Sequence, residues 1–349
     1  LTYEGNGTQI ELSINFEPSM VWIKNIDDPS SIYVFDAVRG FDKYIRFNTG
    51  QAETTNVINY INYNSNKLYI GNEAAINTLG KNYIAWCWKA DLNVLDAVFY
   101  EKYSQNLGIS IIKYTGALGL NRQLFHNLEK KPKLVIIKNR DTADSAIFYQ
   151  FKNHLNSLKI SKIFTTNLNS STEGTYVFEN DGVCGVFENY ITIDNTMNTN
   201  AENYIMYMFA EIPDFLQIEN FLGNGNIDGP LLNCDFKPEL IINTNKGKAF
   251  DKNYTDKVLA INSSDSSETK DFSLNNNGLK IKYNDNENTL GTFNSYCAFA
   301  EKRPKHYNLT ITTEKLFLSS NIKTIACGVT LNENEQVKDL KILVNKENE

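Results

Sequence analysis

Apolar and polar residues alternate along short stretches of the chain. Ile10, Leu12, Ile14 and Phe16 interleave with Gln9, Glu11, Ser13 and Asn15, and Leu279, Ile281 and Tyr283 with Lys280 and Lys282. A period of two sets one side of a segment on a core and leaves the other wet, the pattern of a half-buried β-strand. Two runs are apolar throughout, Val21-Trp22-Ile23 and Val135-Ile136-Ile137, and these predict strands buried on both faces. Pro18 and Pro132 stand just ahead of them, as suits a strand entrance, because proline cannot donate to the ladder inside. Asn, Gly, Ser and Asp fill the turns, where they tolerate or bond to left-handed backbone. The pattern predicts an all-β protein.

The pattern also recurs as a unit. Phe16-Glu17-Pro18-Ser19-Met20-Val21-Trp22-Ile23-Lys24-Asn25 returns as Lys131-Pro132-Lys133-Leu134-Val135-Ile136-Ile137-Lys138-Asn139, and again as Phe236-Lys237-Pro238-Glu239-Leu240-Ile241-Ile242-Asn243-Thr244. Each copy has an opener: Tyr3-Glu4-Gly5-Asn6-Gly7, Tyr114-Thr115-Gly116, and Phe221-Leu222-Gly223-Asn224-Gly225. Each also has a closer: residues 83–90 from Tyr83 to Ala90, 204–211 from Tyr204 to Glu211, and 295–301 from Ser295 to Glu301. Between them lie an aromatic element (Phe35-Asp36, Phe148-Tyr149, Phe250-Asp251) and a polar turn ending in Glu53, Glu173 or Glu268. An acid repeated once per copy is expected to hold its turn rather than to perform catalysis.

Many short strands in units of roughly 100 residues predict β-sandwiches duplicated in tandem, not a thin solenoid. The expected layout is three tandem antiparallel β-sandwich (jelly-roll-like) repeats over residues 1–90, 109–213 and 218–304. A small C-terminal β appendage or docking segment is expected over 305–349, with strand-like runs at 308–313, 316–318, 322–330 and 337–344. The bridge 91–108 carries Leu92, Leu95, Val98 and Phe99 at helix-like spacing.

Composition narrows the function classes. The net charge of −7 gives no electrostatic reason to coat nucleic acid or an anionic membrane. No apolar run approaches the length of a membrane-spanning helix, which argues against insertion. No basic-then-apolar signal segment follows Leu1, which by itself says nothing about export. Five dispersed cysteines (Cys87, Cys184, Cys234, Cys297, Cys327) without a C-x-x-C pair fit buried free thiols in a reducing compartment better than a disulfide framework or a zinc site.

Catalytic and cofactor motifs are absent from the sequence. His126, His154 and His306 have no His or Cys at metal-ligand spacing and are expected in loops or at the surface. There is no nucleophile elbow, zincin helix or phosphate-binding loop. The Gly-x-Gly openers lack a third glycine and a following helix, so a tight turn explains them. The acidic groups Asp27-Asp28, Asp141 with Asp144, and Asp285-Asn286-Glu287 lack Ca²⁺-loop spacing and are expected to be solvated turns. Trp22, Trp86 and Trp88 occupy repeat landmarks that hold plain apolar residues elsewhere, which points to core packing. Within the 48 asparagines of the chain, Tyr60, Asn62, Tyr63 and Asn64 combine residue types that stack on and hydrogen-bond sugars. They are the candidate surface-glycan contacts. No catalytic residue, metal ligand or cofactor is assigned.

Taken in order, Tyr-x-Gly-Asn-Gly, Phe-x-Pro-x-x-Val-Trp-Ile-Lys-Asn, Phe35-Asp36-Ala37-Val38-Arg39-Gly40 and Tyr-x-Ala-Trp-x-Trp-Lys-Ala form a set of landmarks. This set resembles a repeated β domain of uncharacterised function found in virion proteins of tailed, especially marine, bacteriophages. The resemblance covers about residues 1–301. It implies a non-enzymatic virion structural protein on the outside of the particle, assembled in the host cytoplasm. A tail-fibre or appendage component contacting the host surface is the first expectation, with a head-decoration or head-fibre protein as the alternative. A tail-associated glycan depolymerase is the rival from another class, and it would need a pair of carboxylates facing each other across a cleft. Other virion proteins and a host-surface glycan or protein are the implied partners. A homo-oligomer such as a trimer would cover exposed sheet edges.

Overall fold

A computed structural model describes residues 1–300 apart from 56–59, 96–98, 118, 120–121, 144–145, 152–159, 163–182, 245, 262–266 and 286–287. The appendage expected over 305–349, His154, His306, Glu173, Asp144 and Cys327 lie outside the described residues. In the first repeat the strands are β1 (Thr2–Glu4), β2 (Ile10–Ser13), β3 (Met20–Asn25), β4 (Tyr33–Asp36), β5 (Ile61–Asn64), β6 (Lys67–Ile70) and, after the one-turn helix α1 (Ala74–Asn77), β7 (Asn82–Trp88). They form a larger sheet, β1-β7-β3-β4, and a smaller one, β2-β6-β5, all antiparallel. The opener thus lies beside the closer, and the closer beside the proline-led strand.

The second and third thirds repeat this order. In the second, β10 (Ile109–Thr115), β17 (Asn203–Phe209), β12 (Leu134–Asn139), β13 (Ile147–Phe151) and β14 (Ile160–Lys162) are successive neighbours. Its smaller sheet is β11 (Arg122–Phe125), β16 (Tyr190–Ile193) and β15 (Val183–Val186). In the third, β18 (Leu216–Leu222), β26 (Phe293–Phe299), β20 (Leu240–Asn243), β21 (Lys248–Asp251), β22 (Lys257–Ala260) and β23 (Glu268–Thr269) make the larger sheet. The smaller sheet there is β19 (Leu231–Asn233), β25 (Gly278–Ile281) and β24 (Phe272–Asn275). The all-β class and the three antiparallel sandwich repeats are therefore present.

Three expectations change. The described residues of the bridge 91–108 are not helical: β8 (Leu92–Leu95) and β9 (Phe99–Ser104) pair antiparallel and extend the second repeat's larger sheet beyond β10. Leu92 and Leu95 are exposed, so their spacing marks no core face, whereas Glu101 is buried and accepts from Ser110 Oγ (2.6 Å) and Asn127 Nδ2 (2.7 Å). The aromatic element of the second copy aligns one residue later than its sequence suggests. Val21 faces Phe35 and Val135 faces Tyr149, so Gln150 holds the place of Asp36 and Asp251. Likewise Tyr44 bridges Thr54 as Val258 pairs with Glu268, so Thr54, not Glu53, matches Glu268.

Both faces of each closer strand are buried, and the two faces serve different cores. Tyr83 and Ala85 pack inside the first sandwich, Tyr204, Met206 and Met208 inside the second, and Tyr296 and Ala298 inside the third. The alternate residues, Ile84, Trp86 and Trp88 with Ile205, Tyr207 and Phe209 and with Cys297 and Phe299, join one cluster common to all three repeats. The larger sheets are thus packed against one another by their outer faces. At matching register positions Trp88, Phe209 and Phe299 converge: Phe299 lies 5.7 Å from Trp88 and 5.8 Å from Phe209 between ring centroids. Phe47 is wedged edge-on against Trp22 (5.1 Å), Phe148 (5.4 Å) and Tyr207 (5.8 Å). Each such fully buried ring contributes roughly 2–3 kcal/mol of transfer free energy. Residues 1–301 accordingly form one compact unit rather than three separate beads.

Polar links cross the same boundaries in a cyclic sense. Tyr207 of the second repeat donates to Asp36 Oδ2 of the first (2.6 Å), and Trp86 Nε1 of the first donates to Asp251 Oδ2 of the third (2.8 Å). Tyr207 and Trp86 are equivalent positions, as are Asp36 and Asp251. Arg39, wholly buried, donates from Nε to Asp36 (2.5 Å) and from a terminal nitrogen to Glu53 (3.0 Å). Glu53 then takes a two-pronged contact from Arg140 of the second repeat (2.8 and 2.9 Å), and its N–H donates to the Arg140 carbonyl (2.8 Å). Ser267 Oγ of the third repeat donates to the Ile26 carbonyl of the first (2.6 Å), at the place equivalent to Glu53 and Arg140. The acid closing the first polar turn therefore joins two repeats. Glu268 instead pairs with Lys248 and Lys270 inside its own repeat.

The openers are shaped by backbone proximity. A Cβ at Gly5, Gly116 or Gly223 would collide with the carbonyl oxygen of Thr78, Thr199 or Thr289. One asparagine per copy clamps this turn: Asn77, Asn198 and Asn288 accept from the N–H of Asn6 (2.9 Å), Ala117 (2.9 Å) and Asn224 (2.9 Å). The opener glycines serve a tight turn, as the sequence implies.

Candidate functional site

The groove of interest lies on the outer side of the first repeat's smaller sheet. Along β5, Asn62 and Asn64 point outward and Ile61 and Tyr63 inward; along β6, Tyr69 points outward between Leu68 and Ile70 of the core. Asn62 sits opposite Tyr69 in the ladder. The opener loop (Gly7, Thr8, Gln9), the Phe41-Asp42 turn, Tyr60, Ile61, Gly71 and Asn72 complete its lining. The volume is about 730 Å³, within the rough 300–1,000 Å³ range of small-ligand sites.

Three of the four candidate residues read from the sequence, Tyr60, Asn62 and Asn64, line this groove. Tyr63 does not. Strand alternation turns it to the core side, where its hydroxyl donates to Asn66 (3.2 Å). Gln9, Phe41, Asp42, Tyr69 and Asn72 belong to the site but were not among the candidates. Comparing the three copies position by position gives a signal for Tyr69. It stands where the other repeats have Thr192 and Lys280, while the core positions beside it stay apolar.

The groove's chemistry is set by amides and rings. The Asn62 side-chain oxygen accepts from the Tyr63 N–H (2.8 Å) and that of Asn64 from the Ser65 hydroxyl (2.9 Å). These bonds orient both amides and leave their NH₂ ends as donors. Tyr60 packs on Phe35 and Tyr44 at 6.0 and 5.3 Å between centroids. Burial first, then the Tyr44 phenol and the Glu73 carboxylate, hold its hydroxyl protonated well above the usual phenol value. Asp42 is the one carboxylate among the described lining residues.

Elsewhere the titratable groups serve the fold. Asp27 Oδ2 accepts from the N–H and side chain of Asn82 (2.7 and 2.9 Å), and Asp141 repeats the bond with Asn203 (2.7 and 2.9 Å). His126 lies in the loop after β11, as expected, but is buried there and not at the surface. Its Nε2 faces the Phe187 carbonyl (3.2 Å), and the Leu128 N–H points at Nδ1 (3.4 Å). Burial outweighs the carbonyl contact and lowers its pKa to about 4. Cys87, Cys234 and Cys297 are free thiols, and burial pushes each one up. Among the described residues no group of three or more His, Cys, Asp or Glu is placed to hold a metal ion, and no helix is long and apolar enough to cross a membrane.

Fold and site together define an all-β protein of three fused antiparallel sandwiches with an amide- and ring-lined groove on the first. Comparison with known families places it further: the model of a domain of unknown function (DUF7483) matches residues 1–303, and the chain belongs to that family. No curated protein and no solved structure matches it.

Proposed function

We propose that the chain is a non-enzymatic virion structural protein of a tailed bacteriophage, a tail-fibre or appendage component that contacts the host surface. The observation that carries this reading is a ligand-sized groove on the outer side of a body whose three repeats are locked by one common core. A protein that must hold its shape outside a cell while presenting a contact face gains from that cohesion. The landmark resemblance of residues 1–301 to virion proteins supports the same reading. The common core supplies within one chain the packing that three single sandwiches would supply as a trimer, so the reading does not depend on a homotrimer. Its partners are other virion proteins and a host-surface molecule.

The test is localisation. Gold-labelled antibody against the chain, imaged by electron microscopy on intact particles of the phage that encodes it, is expected to decorate the tail appendage. Labelling confined to the capsid would move the protein to head decoration. No label on particles that carry the rest of the virion would overturn the proposal.

A further inference from the structure

We propose that the first-repeat groove is a binding site for a neutral oligosaccharide. The inference names the ligand class for the host contact proposed above, and in that sense it rests on that reading. Hydroxyls of a sugar ring both donate and accept, and amides offer both functions on one side chain. Asn62, Asn64, Asn72 and Gln9 bring four amides to one groove, and all four residues are exposed. Two of them are held with their NH₂ ends free as donors by the local bonds to Tyr63 and Ser65. The Asp42 carboxylate is suited to accept from two neighbouring hydroxyls at once. The half-buried rings of Phe41, Tyr60 and Tyr69 supply the apolar surface against which a sugar face packs.

Charge decides between sugar classes. Among the described lining residues there is no Lys, Arg or His and there is one carboxylate. Lys67, on the same sheet face, is paired with Glu11. Asp42 is paired with Lys43, which lies outside the lining (3.7 Å), so a sialylated or uronate-rich chain would find no unpaired cation in the groove. The groove's volume accommodates a short chain rather than a single sugar.

Comparison between the repeats points the same way. What all three share (opener glycine, clamping asparagine, closer) builds the fold. The groove residues Asn62, Asn64 and Tyr69 stand where the second repeat has Gly185, Phe187 and Thr192 and the third has Ser273, Asn275 and Lys280. Only the first repeat combines the paired outward amides with the outward tyrosine.

The experiment uses the full chain on a printed array of neutral and acidic oligosaccharides, followed by calorimetric titration of the strongest neutral binder. Wild type is expected to prefer neutral chains. Asn62→Ala with Asn64→Ala, and separately Asp42→Asn, are expected to weaken the titrated affinity by about tenfold or more. Ser273→Ala, at the equivalent face of the third repeat, should leave it unchanged. Equal unfolding midpoints show that the variants, all altered at exposed or half-exposed side chains, are folded. Absence of binding to every neutral chain, a preference for acidic chains, or unchanged affinity in both groove variants would each overturn the inference. Particles that label with antibody while the chain binds no glycan would keep the virion reading and remove the groove. Neutral-glycan binding by a chain absent from particles would do the reverse.

Discussion

The phenol of Tyr207 lies 2.6 Å from Asp36 Oδ2, although 171 positions separate the two residues in the chain. The bond joins the second repeat's closer to the first repeat's Phe-Asp element, and Arg39 Nε donates to the same carboxylate oxygen and neutralises it. Burial first, and then the Asp36 carboxylate, raise the Tyr207 pKa well above the usual phenol value, with Arg39 opposing them. The tyrosine therefore remains a donor at every physiological pH.

Removing that donor isolates its worth. Tyr207→Phe keeps the ring against Phe47 and is expected to cost about 1.5–3 kcal/mol, the range for a hydrogen bond to a charged group. Asp36→Ala is expected to cost more, roughly 3–5 kcal/mol, because it leaves the Arg39 guanidinium buried with Glu53 as its remaining carboxylate. Urea unfolding monitored by tryptophan fluorescence measures both. Equal costs would mean that Asp36 does not anchor Arg39.

The common core predicts loss of cohesion from a single truncation. Phe299→Ala removes a ring that touches both Trp88 and Phe209 and is expected to cost about 3–5 kcal/mol. The loss should appear in the unfolding of all three repeats together, seen as one shifted calorimetric transition. A separate early transition, with the remainder melting as in wild type, would show that the repeats are independent.

Opener glycines give a sharper contrast. Gly5→Ala and Gly116→Ala set a methyl against a carbonyl oxygen and are each expected to cost about 3 kcal/mol by overpacking. Gly80→Ala meets nothing within 4 Å, and its positive φ of 73° is then its only penalty, about 1 kcal/mol. Thermal midpoints of the three variants rank them directly.

Acidification should destabilise the protein in two windows. His126 has a folded pKa of about 4, below its unfolded value near 6.5, so the folded state binds fewer protons between them. Stability then falls as pH drops from about 6.5 to 4, by up to ~3 kcal/mol. Burial alone would raise the Glu53 carboxyl, but hydrogen bonds from Arg140 and the charges of Arg39 and Arg140 outweigh it and hold the pKa low. Its contribution is present above the ordinary Glu range and is lost as pH falls through the lowered value. His126→Gln should flatten the upper window and Glu53→Gln the lower one, read as unfolding midpoints from pH 7 to pH 3.

Much of the architecture was legible because it is local. Alternation at Ile10–Phe16 and the prolines before Val21 and Val135 depend on side-chain parity and on a missing N–H, which any stretch of chain carries with it. Repetition of those landmarks then implied three copies of one sandwich. The strand pair β8 and β9 was illegible for a local reason too: four apolar residues spaced as on a helix do not show that two of them, Leu92 and Leu95, face solvent.

The groove was half legible. Asn62 and Asn64 stand out by residue type, but Asp42 and Gln9 reach the same place only because β2, β6 and the Phe41-Asp42 turn are brought together by folding. Tyr63 shares their composition and fails by parity.

By itself the sequence determined the class of secondary structure, the number of repeats, and the turns that glycine and asparagine must hold. Tertiary structure decided that the three sandwiches share a core, that Tyr207 meets Asp36, and which outward residues face one groove. Periodicity says that both sides of a closer strand are covered, but it carries no label for what covers them. Residues more than 100 positions apart become neighbours only when whole sheets pack.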